Sequence, residues 1–159
     1  MDEKSSPKES LRILNTREKK GINQQVSSQW GCELDKSLVW LLSNKDKLYV
    51  ADTGIGSMDF NKLKIDKIGL YVCTVSDKGV RLSIEGSQII GPCANKNVVA
   101  VSDDELKVWF RGEDIEKTVD GCSGFVILKH DDDFIGCGKA TEKGILNFVP
   151  KTRRVLSGD

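Results

Sequence analysis

Apolar and polar positions change period repeatedly along this chain, and the most particular order of features lies in residues 124–154. An apolar run (Phe125, Val126, Ile127, Leu128), a polar turn over 129–133, a second run (Phe134, Ile135), a bend spaced by Gly136 and Gly138, and a third strand over 145–149 predict a small antiparallel meander. It ends in a basic segment, Lys151, Arg153 and Arg154. Upstream, Leu11, Ile13 and Leu14 begin an apolar pattern that the charged run 17–20 and Gly21 interrupt. Ile22, Val26 and Trp30 then fall at i, i+4 and i+8, which predicts a helix ending near Gly31.

Two hairpins follow. Residues 37–42 and 48–51 flank the polar turn Ser43-Asn44-Lys45-Asp46-Lys47, and residues 68–75 and 80–84 flank Ser76-Asp77-Lys78-Gly79, where Gly79 takes the positive-φ position. A short helix over 53–63 with Ser57 as N-cap is expected between them. Residues 87–90 carry no clear period, and Gly91-Pro92 divides the chain. A β-rich run over 97–101 leads into Ser102-Asp103-Asp104-Glu105, a serine N-cap with glutamate three residues on. The helix it opens extends to about Arg111, with Leu106, Trp109 and Phe110 on one side, and Gly112 stops it. Trp30, Trp40 and Trp109 read as core anchors. The result is an α+β protein with a polar N-terminus (1–10), a first lobe (11–92) and a second lobe (93–159).

Composition changes this picture little. The 159 residues hold 24 basic and 24 acidic side chains, a balance that argues against a wholly electrostatic nucleic-acid binder. The balance is uneven, however. Residues 138–154 carry Lys139, Lys143, Lys151, Arg153 and Arg154 against Glu142 alone, while acids gather at 103–105, 113–116 and 131–133. No apolar run approaches the roughly 20 residues of a membrane span, and no apolar segment follows the charged N-terminus. The expectation is a cytoplasmic protein with no membrane partner.

Catalytic and cofactor chemistry finds little support. The five cysteines form no CxxC pair and only one histidine is present, so reduced, buried thiols are expected and no metal site. His130 lies in the charged turn His130-Asp131-Asp132-Asp133, where solvent exposure is expected and a sheltered general base is not. Gly54-Ile55-Gly56 and Gly136-Cys137-Gly138-Lys139 lack the context of dinucleotide or P-loop motifs. What remains is the basic end, whose cations can reach phosphates from a strand framework.

These residues resemble the PUA domain, an RNA-binding module of RNA-modifying enzymes, over about residues 97–156. Arg111-Gly112-Glu113-Asp114-Ile115 is similar to its helix-to-strand segment, and Asp133-Phe134-Ile135-Gly136-Cys137-Gly138-Lys139-Ala140 to its Gly-x-Gly strand. That strand, followed by Leu146-Asn147-Phe148-Val149-Pro150-Lys151 and Arg153, resembles the C-terminal tail of Fmu/Sun-type RNA cytosine-5 methyltransferases. The first lobe resembles, more loosely, the lobe before the PUA domain in those tails and in small ribosome-assembly factors.

The resemblance implies a C-terminal PUA-like β pseudobarrel. It also implies RNA contacts at Arg111, Gly112, Lys139, Lys151, Arg153 and Arg154, with Lys117 and Lys143 as outer contacts. Gly91-Pro92-Cys93-Ala94 shows Pro-Cys without the aspartate of the methyltransferase motif, so the expected protein is the RNA-binding tail alone, without enzyme activity or cofactor. Its expected partner is structured rRNA or tRNA, in ribosome assembly or beside an RNA-modification enzyme. The alternative is an adaptor that binds an RNA methyltransferase or a ribosome-assembly protein.

Overall fold

The computed structural model describes residues 10–51 and 69–155. The polar N-terminus over 1–9, the helix expected over 53–63 and the final residues from Leu156 lie outside them. Strand β1 (Leu11–Ile13) leads to helix α1 (Thr16–Trp30), the hairpin β2 (Val39–Ser43) and β3 (Lys47–Ala51), and the hairpin β4 (Leu70–Ser76) and β5 (Gly79–Leu82). These five strands form one antiparallel sheet in the order β1-β2-β3-β4-β5. Helix α2 (Ile84–Ile90) and a 3-10 turn (Gly91–Cys93) lead to β6 (Val98–Ala100), helix α3 (Asp103–Phe110), β7 (Gly124–His130), β8 (Asp133–Thr141) and β9 (Gly144–Leu146). The second sheet has the order β6-β7-β8-β9, with β6 parallel to β7. The architecture is α+β, and beyond β9 the chain runs on to the 3-10 turn Lys151–Arg153.

Helix α1 begins earlier than the apolar spacing predicts. Its N-cap is Asn15, whose side chain accepts from the Glu18 backbone N–H while the Glu18 side chain accepts from the Asn15 N–H. Arg12 also donates to Glu18 at 2.6 Å, and the Glu18 carboxyl lies below its ordinary range, held first by that hydrogen bond and then by Asn15. The charged run 17–20 therefore forms the first turns of the helix rather than a break. Gly31, at φ 76, ends it in the left-handed conformation.

Both hairpin turns fall where the polar runs place them, and Gly79 has φ 125. The apolar run Val39-Trp40-Leu41-Leu42 is buried on both faces of its sheet. Trp40 joins the main core, whereas Leu41 packs with Tyr49 on the other side. All three tryptophans are fully buried. Helix α2 takes in residues 87–90, which carry no clear period, together with Ile84, expected at the end of the preceding strand; Ser83 caps it, its Oγ accepting from Gly86 N–H at 2.9 Å.

The meander differs from expectation in two ways. Strand β8 runs unbroken through Gly136 and Gly138, and β9 stops at Leu146, so 147–149 leave the sheet. The irregularity expected at Gly136 takes the form of a register shift, in which Leu128 pairs with Gly136 and Lys129 with Phe134, so that Ile135 is the extra residue. The glycines also make room for Trp109: a Cβ at Gly138 would stand 2.8 Å from its indole ring, and one at Gly136 3.2 Å from its Nε1.

Two further corrections concern side chains. Cys32 and Cys93, 61 residues apart in sequence with Cα atoms 5.8 Å apart, form a disulfide rather than two reduced thiols. Cys73 and Cys137 stay free, and burial pushes the pKa of both thiols up to about 12. His130 is not loose in solvent either. Its Nε2 lies 2.7 Å from Asp103 Oδ1, joining the end of β7 to the start of α3.

The Asp103 hydrogen bond raises the His130 pKa above 6.5, with Asp131 and Asp133 adding to it against a smaller effect of burial. A pKa raised by folding adds stability below the unfolded value, and that stability is lost as pH rises through the folded value. Asp103→Asn is expected to move the His130 titration midpoint, followed by NMR, down toward 6.5 and to flatten the pH dependence of stability just above it. An unmoved midpoint would mean that Asp103 is not the partner.

The lobes meet through both core and polar contacts. Ile127 and Cys137 of the second sheet belong to the same buried cluster as Trp30, Trp40 and Val72. At its rim, Gln29 Nε2 donates to the carbonyls of Ser123 and Phe125, each at 2.6 Å, and Asn97 Nδ2 donates to the Gln29 carbonyl, also at 2.6 Å.

Candidate nucleic-acid interface

The site is assembled where α3 ends and the C-terminal segment returns to it. Ser102 and Glu105 form the expected capping box. Although burial opposes its charge, hydrogen bonds from Ser102 and the Lys117 ammonium hold Glu105 below the ordinary carboxylate range. Three acids in the first turn suit the positive end of the helix. At the other end the exposed Arg111 is the C-cap, and its Nε donates to the Lys107 carbonyl at 3.3 Å. Gly112 follows at φ 89, and its amide donates to the Trp109 carbonyl.

Asn147 fixes the returning strand. Its side-chain amide donates to the carbonyls of Trp109 at 2.8 Å and Glu113 at 2.9 Å, its backbone N–H donates to Asp114 Oδ1, and its side-chain oxygen accepts from Val149 N–H. Three of these hydrogen bonds hold Asn147 to the helix exit, and the fourth orders residues 147–149 among themselves. Arg154 then lies directly over Gly112, where a Cβ would collide with its guanidinium, and its Nε donates to the Val149 carbonyl at 3.1 Å. Val155 N–H closes the return onto the Phe110 carbonyl.

Of the residues expected from the sequence, Arg111, Gly112 and Arg154 therefore come together. Arg153, next in chain, turns to the first lobe and pairs with Glu85 of α2 at 3.0 Å. Lys151 is exposed at the start of the 3-10 turn. Lys139 on β8 sets its ammonium 5.8 Å from the Phe125 ring centroid. Lys143 is exposed in the β8–β9 turn. Lys117 sits at the opposite end of α3, where it donates to the Ala100 carbonyl and to Glu105, both at 3.2 Å. Eight helical residues separate that end from Arg111 by about 12 Å.

Arg81 is not among the residues expected from the sequence. It lies on β5 of the first lobe, yet its guanidinium stands 4.6 Å from the centroid of Phe148 in the second. Phe148 in turn packs at 6.1 Å and 57° against Phe125, beneath Lys139. No local sequence pattern marks this pairing, because the two residues meet only in the folded chain. Asn147 is visible in the sequence only as a member of the basic motif. Among the described residues there is no group of three acidic, histidine or cysteine side chains that could hold a metal, and no helix long and apolar enough to cross a membrane.

A parallel β6–β7 pair joined through α3, a two-strand antiparallel extension and a C-terminal segment folded back on the helix exit make up the second lobe. Residues 96–155 match the family model described as "Methyltransferase RsmF PUA domain". This part of the chain is accordingly a PUA domain resembling the one in Sun/Fmu-type methyltransferases.

Relatives extend the likeness beyond that domain. The chain is 23% identical over 133 residues to "Ribosomal RNA small subunit methyltransferase F" of Vibrio cholerae serotype O1 (strain M66-2), covering 82% of this chain and 27% of the relative. It is 23% identical over 146 residues to the protein of the same name in Pectobacterium carotovorum subsp. carotovorum (strain PC1), covering 92% and 28%. With that of Aeromonas hydrophila subsp. hydrophila, identity is 28% over 90 residues, covering 57% of this chain and 19% of the relative. The chain thus spans about a quarter of the length of the first of these relatives.

Proposed function

We propose that this chain is a non-catalytic RNA-binding protein that grips structured rRNA or tRNA through its PUA domain, in ribosome assembly or as an accessory to RNA modification. The observation that carries the reading is the seating of the Arg154 guanidinium on Gly112, one residue after the exposed Arg111, which brings two cations far apart in sequence to the same helix exit. The exposed Lys151 at the start of the 3-10 turn and Lys139 on β8 supply further cations. The relatives are named for methylation of small-subunit ribosomal RNA, which favours rRNA over tRNA. Such cations position RNA by its backbone and shape, and do not read bases.

The test is filter binding of the intact protein to a structured rRNA fragment over a salt series. Affinity is expected to fall as salt rises. Arg153→Ala with Arg154→Ala is expected to weaken binding and to make the salt slope shallower by about 0.9 for each phosphate that the arginines no longer neutralise. Because Arg153 and Arg154 also hold the C-terminal segment, the exposed Arg111→Ala serves as a second variant, with the same direction of change. Salt-independent or absent binding, unaffected by these changes, would sink the reading.

A further inference from the structure

A pocket of about 130 Å³ opens between the lobes, walled on one side by Arg81, Tyr71 and Glu85 of the first and on the other by Trp109, Phe148 and Arg153 of the second. It is well below the roughly 300–1,000 Å³ of sites that enclose a drug-sized molecule or cofactor. What fits is a single planar ring entering from one side.

The chemistry of the walls narrows the choice. Arg81 is half-buried and set over a half-buried aromatic ring, an arrangement that offers a flat, polarisable surface. Among the described residues no carboxylate pairs with it, whereas Arg12, Lys117 and Arg153 each have an acidic partner. Two arginines against one glutamate leave the pocket mouth cationic. Glu85 supplies an acceptor suited to an amine or imide N–H. Rings and guanidinium planes beside cations are the means by which proteins hold unpaired bases, and a site for duplex backbone alone needs no rings. The Asn147 hydrogen bonds explain why Phe148 is there, since they draw 147–149 off the sheet and into the junction.

We propose that this inter-lobe pocket takes one unpaired nucleobase of a bound RNA, stacked against the Arg81–Phe148 pair, with Arg153 beside the adjoining phosphate. The proposal rests on the RNA-binding reading above and adds to it a single-strand site that both lobes build. A base seated there fixes the register of the RNA against the backbone-gripping surface at Arg111 and Arg154.

The experiment uses the intact protein and two probes: a uridine-rich single strand with one central 2-aminopurine, and a labelled RNA duplex of the same length. The expected result is that the single strand binds with a fall in 2-aminopurine emission. Arg81→Ala should weaken it by roughly 5- to 150-fold, the range for one stacked base, and restore the emission, while duplex affinity stays nearly unchanged. Arg81→Lys, which keeps charge and fold, should lose the quenching but retain the salt dependence. Unchanged emission on binding would overturn the proposal. So would equal losses for single strand and duplex in Arg81→Ala, or full quenching in Arg81→Lys. Binding of the duplex alone overturns the pocket and leaves the RNA-binding reading standing, whereas binding of neither probe by the unmodified protein overturns both.

Discussion

Trp109→Ala is expected to destabilise the protein by about 3–5 kcal/mol, read as a lower denaturant midpoint. Trp109 is fully buried at the centre of the second core, among Val99, Val126, Leu128, Ile135, Ile145 and Val149. Its ring lies on the bed made by Gly136 and Gly138, and its backbone carbonyl accepts from Asn147. Truncation leaves a cavity that the short strands around it cannot close. The indole N–H, however, is buried with no acceptor among the described residues. Leaving such a donor unpaired costs about 1–3 kcal/mol, so Trp109→Phe, which keeps a ring and removes the donor, is expected to lose much less than its volume change suggests. If alanine prevents folding altogether, the phenylalanine variant still gives a measurable midpoint. A Trp109→Phe variant as unstable as a cavity mutant would show that the indole N–H has a partner after all.

The second large effect is expected at Gly144. Its φ is 151, and an added Cβ would collide with the Ile115 carbonyl oxygen and stand 3.1 Å from the Glu116 Cα. That carbonyl cannot yield freely, because it accepts from Ile145 N–H at 2.8 Å while Ile115 N–H donates to the Ile145 carbonyl at 3.0 Å. Gly144→Ala therefore combines backbone strain with a clash against main chain, and a loss of about 2–5 kcal/mol follows. Gly121 is the control. It also has positive φ, at 76, but an added Cβ meets nothing within 4 Å. Gly121→Ala should lose only the conformational part, about 1 kcal/mol. Equal urea midpoints for the two variants would refute the steric account.

The same residues mark what can be read from the chain alone. The Ser102–Glu105 capping box, the stop at Gly112, the Gly79 turn and the three buried tryptophans are local signals, in which a residue type meets a requirement of its immediate neighbours. The start of α1 is equally local, in Asn15 and Glu18, but the charged run after it disguises a solvent-facing helix surface as an interruption. Gly136 and Gly138 are legible only in part. The irregularity beside Gly136 is a local signal, but the room that both glycines give the ring of Trp109, nearly 30 residues upstream, is set by the fold. Cys32 with Cys93, and Arg81 with Phe148, meet across the whole fold, and no spacing announces them. At the candidate interface, the basic residues are visible as a cluster in sequence. Folding sorts them into Arg111 and Arg154 at Gly112, Lys139 on its aromatic neighbour, and Lys117 at the far end of α3.

The shared core between the lobes has a mechanical consequence. Ile127 and Cys137 are buried with Trp30, Trp40 and Val72, so the two sheets are held as jaws on one solid frame rather than beads on a string. Arg81 on one jaw and Arg154 on the other are carried by that frame. In the role proposed for it, such a frame resists independent movement of its two halves, so that a bound RNA meets both sets of cations together.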